Sequence, residues 1–204
     1  MKVKICGITD VQTAQTAVEY GADALGFVFA HSKRKISPQK AKEIINKLPT
    51  DVLKVGVFVN EVKEQIDKIV EETGLNVIQL HGDETPQFCS SFTLPVIKAL
   101  SIQTVADVEK ISDYKCEYIL LDSPKGIYRG GNGSVFDWAI LSSHKLSKPK
   151  IILAGGLTSE NVLQGINLAS PYMVDVSSGV ESEGKKDIRK IKIFIETAKQ
   201  KRRK

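Results

Sequence analysis

Three groups of side chains in this sequence are of types that do chemistry on small anions. The first is a thiol and a carboxyl group, Cys6 and Asp122. A thiolate can abstract a proton and a carboxylic acid can donate one, so the pair suits general acid–base work. Each also has a plainer reading, Cys6 as an inert buried thiol and Asp122 as a turn residue. The second group is Gly155-Gly156 and Ser177-Ser178-Gly179. Glycine lets backbone N–H groups approach an anion, and serine adds hydroxyl donors. The third is the cluster Ser32-Lys33-Arg34-Lys35, in which the arginine fork suits a carboxylate. His81, ahead of Gly82-Asp83, reads equally as a turn residue or a ligand contact. The run Arg129-Gly130-Gly131-Asn132-Gly133 is glycine-rich enough for a mobile lid, or simply for a connection into a helix at Phe136.

Other chemistries lack their signatures. No His/Asp/Glu cluster has metal-ligand spacing, and there is no GxSxG or Walker pattern. The three cysteines, Cys6, Cys89 and Cys116, are far apart and form no CxxC pair. That spacing argues against a disulfide framework and a thiolate zinc site. The residues therefore suggest a reaction without metal or cofactor on a small phosphorylated anion.

Such residues act together only if the fold brings them together. Eight apolar runs alternate with amphipathic segments: Val3–Cys6, Ala24–Phe29, Leu53–Val59, Val77–Leu80, Pro95–Ala99, Tyr118–Leu121, Lys150–Ala154 and Tyr172–Val176. Several are nearly continuous in apolar residues, as strands buried on both faces are. The segments between them predict helices at 11–20, 38–48, 61–72, 84–91, 105–111, 136–141, 159–166 and 187–199. Strand–helix alternation gives a parallel sheet, and eight units suggest closure into a (β/α)8 TIM barrel. An open doubly wound sheet would more often carry GxGxxG after its first strand, whereas here the first turn reads Cys6-Gly7-Ile8-Thr9. Residues 1–204 read as a single barrel domain without a linker.

In a barrel, chemistry sits at the C-terminal ends of the strands. Cys6 ends the first, Asp122 the sixth, and the two glycine-rich turns follow the seventh and eighth, where barrel phosphate sites are often built.

Charge and composition narrow the partners. The chain has 204 residues, a net charge of +5, 42% hydrophobic residues and 26% charged ones, ordinary for a globular domain. Five of the positive charges lie in the last six residues, KQKRRK, so the rest of the chain is balanced. Residues 199–204 read as a basic tail that frays. A nucleic-acid binder should carry a basic stripe on its folded surface, so no nucleic-acid partner is expected. No run approaches a membrane span, and the N-terminus lacks a signal-peptide pattern. A reducing cytoplasm is the expected compartment.

At these residues the chain resembles the phosphoribosylanthranilate isomerases of tryptophan biosynthesis. The matching segments are KICGIT at 4–9, GADALGFVFA at 21–30, SKRKISP at 32–38, VGVFVN at 55–60 and IQLHGDE at 78–84. LLDS at 120–123, GGNG at 130–133, FDW at 136–138, AGGL at 154–157, VDVSSGVE at 174–181 and KKD at 185–187 continue the match in order. Together they span almost the whole chain.

The resemblance implies an Amadori rearrangement of N-(5-phosphoribosyl)anthranilate to the 1-deoxyribulose phosphate, without a cofactor, by a monomer or homodimer acting on a small phosphosugar. It implies that Asp122 protonates the ring oxygen and Cys6 removes the C2 proton. Arg34 would hold the anthranilate carboxylate, and Asp175 would lie near the substrate nitrogen. His81 falls in the fourth-strand motif, Gly131 and Gly133 in the lid, and Gly155, Gly156, Ser177 and Ser178 in the phosphate turns. Cys6 then needs a depressed pKa, and Lys4 should share its side of the strand. The chain departs from the family pattern at Asn132, where threonine or serine is more usual. Asparagine keeps a polar side chain and tolerates left-handed backbone, so an altered lid with retained function is expected. The related histidine-pathway isomerases should carry aspartate at the first-strand end and phosphate sites in both barrel halves. A non-catalytic phosphosugar-binding barrel would need neither Cys6 nor Asp122.

Overall fold

The structure is a computed structural model that describes residues 1–123, 138 and 150–200. Its strands are β1 (Lys2–Cys6), β2 (Ala24–Val28), β3 (Leu53–Phe58), β4 (Val77–Leu80), β5 (Val96–Ser101), β6 (Tyr118–Asp122), β7 (Lys150–Leu153) and β8 (Met173–Val176). All pair in parallel with their chain neighbours, and β1 pairs with β8, closing the barrel. The strand runs lack polar alternation because both faces are covered. Ala24, Val55, Val77, Ile97, Leu120, Ile152 and Met173 fill the barrel interior. Val3, Leu25, Phe27, Phe58, Ile78 and Leu121 face the helices outside.

Several helices begin where a side chain satisfies a free N–H group. Asp10 caps α1 (Val11–Glu19) by accepting from Thr13 N at 2.8 Å. Ser37 caps α2 (Pro38–Ile45), with proline at its first position. α3 (Lys63–Thr73) buries Ile66 and Ile69 and stops at Gly74. α4 is Pro86–Cys89 and α5 is Val105–Glu109, followed by a 3-10 turn at Lys110–Asp113. α6 is Val162–Ala169. α7 (Ile188–Lys199) starts at Asp187, which accepts from Arg189 N and Lys190 N. Its last residue, Lys199, is paired with Asp23 at 2.8 Å, and residues 201–204 lie outside the described part. Among the described residues no helix is long and apolar enough to cross a membrane.

Besides α2, which ends at Ile45 rather than at 48, three elements differ from the sequence expectation. α4 is one turn, not 84–91, because Glu84 is drawn inward and Thr85 becomes the cap. α6 starts three residues late, because the Asn161 side chain accepts from Thr158 N at 2.8 Å and holds a turn there. A hairpin of β9 (Glu181–Ser182) and β10 (Lys185–Lys186) follows β8, which the sequence did not suggest. The helix expected at 136–141 falls outside the described residues, Trp138 excepted.

Glu84 matters because it anchors the turn that carries His81. Its carboxylate accepts from Asn60 N at 2.8 Å and Gly82 N at 2.8 Å. Lys98 of β5 reaches the same carboxylate at 2.7 Å and Gly82 O at 2.8 Å. Both side chains are almost wholly buried, 2% and 3% exposed. Removing one partner strands a buried charge, so Glu84→Ala is expected to cost about 3–5 kcal/mol. Urea unfolding checks this through a lower midpoint at unchanged slope. A loss below about 1 kcal/mol, the scale of a surface pair, would contradict it.

Candidate active site

Strand alternation turns the residues two apart to the same side. In β1 this pairs Lys4 with Cys6, and at β4 it pairs Gln79 with His81. A cavity of about 680 Å³ opens at the C-terminal ends of the strands. Cys6, Arg34, His81, Asp122, Gly155, Gly156, Asp175, Ser177 and Ser178 all line it. The structure thus gathers into one mouth every candidate it describes. Gly131 and Gly133 lie outside the described residues.

Cys6 stands opposite Gly26 in the β1–β2 register. A Cβ on Gly26 would sit 2.7 Å from the Cys6 sulfur, so the glycine makes the room the thiol occupies. Lys4, with no solvent exposure, pairs with Asp175 Oδ1 at 3.0 Å across the β1–β8 seam. Burial works against the Lys4 charge, but Asp175 and Cys6 outweigh it and hold its pKa above the ordinary lysine value.

The expected depression of the Cys6 pKa is not what the structure shows. Burial pushes the thiol up, Lys4 and Lys186 pull it down, and Asp175 pushes it up again. Burial is the largest of these effects, because it removes the thiolate from water, and it leaves the thiol above its ordinary value. The lysine restrains the rise without reversing it.

Asp122 ends β6 across the mouth. Its Oδ1 accepts from Ser123 N at 2.8 Å, and its Oδ2 lies 3.2 Å from His81 Nε2. His81 Nδ1 lies 3.0 Å from Gln79 Nε2.

Arg34 meets Glu181 through Nε at 2.6 Å and Nη2 at 2.8 Å. A guanidinium has a second edge, so this side-on pair fixes the plane and leaves the outer edge for a carboxylate. Lys186 holds the same Glu181 at 2.7 Å and Ser177 O at 2.8 Å, tying the hairpin to the β8 turn. Burial holds the Lys186 pKa below the ordinary lysine value.

The two glycine- and serine-rich turns meet beside this group. Gly155 has φ +79°, and a Cβ there would lie 2.5 Å from Ser123 N, so the turn needs glycine on both counts. Asn161 Nδ2 donates to Gly156 O at 2.9 Å and fixes the turn from behind. Ser177 Oγ donates to Cys6 O at 3.1 Å.

A family model described as N-(5'phosphoribosyl)anthranilate (PRA) isomerase matches residues 3–197. The chain belongs to the PRA isomerase family. An N-(5'-phosphoribosyl)anthranilate isomerase from Bacillus cereus (strain Q1) is 57% identical over 201 residues, 98% of each chain. A crystal structure of monomers made from the dimeric phosphoribosylanthranilate isomerase of Thermotoga maritima superposes with a TM-score of 0.88 at 42% identity, covering 98% of each chain. A further PRA isomerase structure, in complex with reduced 1-(o-carboxyphenylamino)-1-deoxyribulose 5-phosphate, gives 0.86 at 42% identity, again over 98% of each.

Within this PRA isomerase mouth, sequence reasoning missed Gln79, Glu181 and Lys186 as site residues. Gln79 was detectable as a polar residue within an apolar strand, at the parity of His81. Glu181 and Lys186 lie in the motifs VDVSSGVE and KKD, but only the hairpin brings them to Arg34.

The direction of the Cys6 shift can be measured. In a Cys89→Ser, Cys116→Ser background, the ultraviolet absorbance of the remaining thiolate is expected to rise only above the ordinary thiol range. Lys4→Met removes the cation and leaves Asp175 unopposed, so it should move the midpoint further up. A wild-type midpoint below that of free cysteine would contradict the first statement, and a midpoint that does not rise in Lys4→Met would contradict the second.

Proposed function

We propose that this chain isomerises N-(5-phosphoribosyl)anthranilate to 1-(2-carboxyphenylamino)-1-deoxyribulose 5-phosphate, with Asp122 as acid and Cys6 as base. The observation that carries the reading is the convergence of Cys6 and Asp122 on one mouth with Arg34 and the two anion turns beside them. The product-like ligand of the related structure is a phosphate with an aryl carboxylate, which is what those two sub-sites suit.

The sugar phosphate lies in the Gly155–Gly156 and Ser177–Ser178 turns, and the anthranilate carboxylate lies on the free edge of Arg34. Asp122 gives its proton to the furanose oxygen as the C1–O bond breaks, and the nitrogen lone pair forms the Schiff base. Cys6 thiolate takes the C2 proton, and the C–H electron pair moves to give the enolamine. Transfer of the enol proton to C1 leaves the ketone, so reactant and product have the same atoms and charge. Asp175 holds Lys4 under the thiol and faces the substrate nitrogen. The protein acts in the reducing cytoplasm, where Cys6 stays a free thiol, as a monomer or a homodimer.

Anthranilate and phosphoribosyl pyrophosphate, with the transferase that joins them, supply the unstable substrate in the cuvette. Fluorescence then follows its consumption by the wild type, Cys6→Ala and Asp122→Asn. Wild-type turnover is expected, with each variant slower by about 10²–10⁴-fold while still folded. A folded wild type without turnover would defeat the proposal. Turnover that survives Cys6→Ala would keep the reaction and move the base elsewhere.

A further inference from the structure

Gln79 is 1% exposed and lines the floor of the cavity. Its Nε2 lies 3.0 Å from His81 Nδ1, and His81 Nε2 lies 3.2 Å from Asp122 Oδ2. Its Oε1 is buried and has no hydrogen-bond partner among the described residues. We infer that Gln79 is a positioning residue for the acid, because its carboxamide sets how many protons the His81–Asp122 pair holds. The inference rests on the reading of Asp122 as the general acid.

The argument is one of donors and acceptors. An amide N–H can only donate, so His81 Nδ1 must accept and carry no proton. The ring proton is then on Nε2 and is donated to Asp122 Oδ2. In this arrangement the pair holds one proton, and Asp122 has none to give.

A half-turn of the amide exchanges Oε1 and Nε2. Oε1 then accepts from a protonated Nδ1, and a second proton lies between Nε2 and Asp122 Oδ2. Only this arrangement arms the acid. Because Oε1 has no partner among the described residues in the first arrangement, the turn breaks no hydrogen bond to them at that end. Donation to the ring oxygen returns the pair to one proton and the amide to its first orientation.

Other charges face the same space. Cys6 comes from β1, with Lys4 behind it, and Asp175 from β8. His31, Arg34 and Lys35 come from the segment after β2, and Glu61 from the segment after β3. Among the described residues, none of these is hydrogen-bonded to His81 or Asp122, whereas Gln79 is bonded to His81 directly.

The test uses the ligand-free protein first. Long-range proton–nitrogen spectra, with His81 assigned by its loss in His81→Asn, report which ring nitrogen is protonated. The wild type should show the proton on Nε2 in the one-proton state. In Gln79→Glu a carboxylate faces Nδ1 and can only accept. Nδ1 should then keep its proton in the one-proton state, and the spectra should show it there. Kinetics come second. The basic limb of the kcat–pH profile, where the acid is lost, should move to higher pH in Gln79→Glu. Gln79→Met, which can hold neither arrangement, should lower kcat about tenfold with KM changed less than about twofold.

A residue that merely packs would change the melting temperature and leave the limb in place. A wild-type proton on Nδ1 in the one-proton state would overturn the inference. So would a kinetic limb that stays still while the spectra shift. A wild type with the expected spectra but no turnover would count against the isomerase reading while supporting the proton linkage.

Discussion

In a closed eight-stranded sheet each strand has two faces, and only one of them looks across the barrel at the other strands. The period is two, so a residue's position within its strand decides whether it meets helices or the mouth. Lys98 of β5 points outward and ties the β4 turn to the sheet. Lys4 of β1 points inward and is buried under the cavity. Two lysines in strands of the same sheet thus do unrelated things. One residue of slip in β1 would turn Lys4 to the helices, and the same slip in β5 would turn Lys98 into the barrel. Below the mouth, the inward residues are apolar and hold the barrel apart. At the rim they become Cys6, Gln79, Asp122 and Asp175, and the packed core becomes a site.

The electrostatics of that rim are a contest between burial and charge. Lys4 is fully buried, and Asp175 beside it holds the lysine charged. Burial of Cys6 outweighs the pull of Lys4 and Lys186, and Asp175 adds to the rise, so the thiol goes up instead of down. A site built this way keeps the thiol protonated at rest. The thiolate is then formed as a small fraction, with higher basicity than a strongly acidified thiol would have.

Much of the fold was legible because its signal was local. Unbroken apolar runs marked the strands to within one or two residues, and Ser37-Pro38 and Asp187 marked helix starts. The candidate site was legible because the barrel rule places strand ends together, so Cys6 and Asp122 needed no contact information. What escaped lacks a local signal. The β9–β10 hairpin has two residues in each strand and no apolar pattern, yet it brings Glu181 to Arg34. Glu84 read as the start of a helix because its inward turn depends on Lys98, fourteen residues away. The direction of the Cys6 shift depends on depth of burial, which no spacing records.

Two contacts at the mouth join the extremes of the chain. Lys4 meets Asp175 across 171 residues, and Arg34 meets Glu181 across 147. Both depend on β8 lying down beside β1, the last pairing the chain can make and the one with the longest loop to close. A nascent chain that has emerged as far as β7 already contains the thiol, the histidine and the acid, yet its lysine has no counter-charge and its arginine no fixed plane. Synthesis from the N-terminus therefore produces no partly competent enzyme along the way, and competence arrives when the final quarter of the sequence closes the ring.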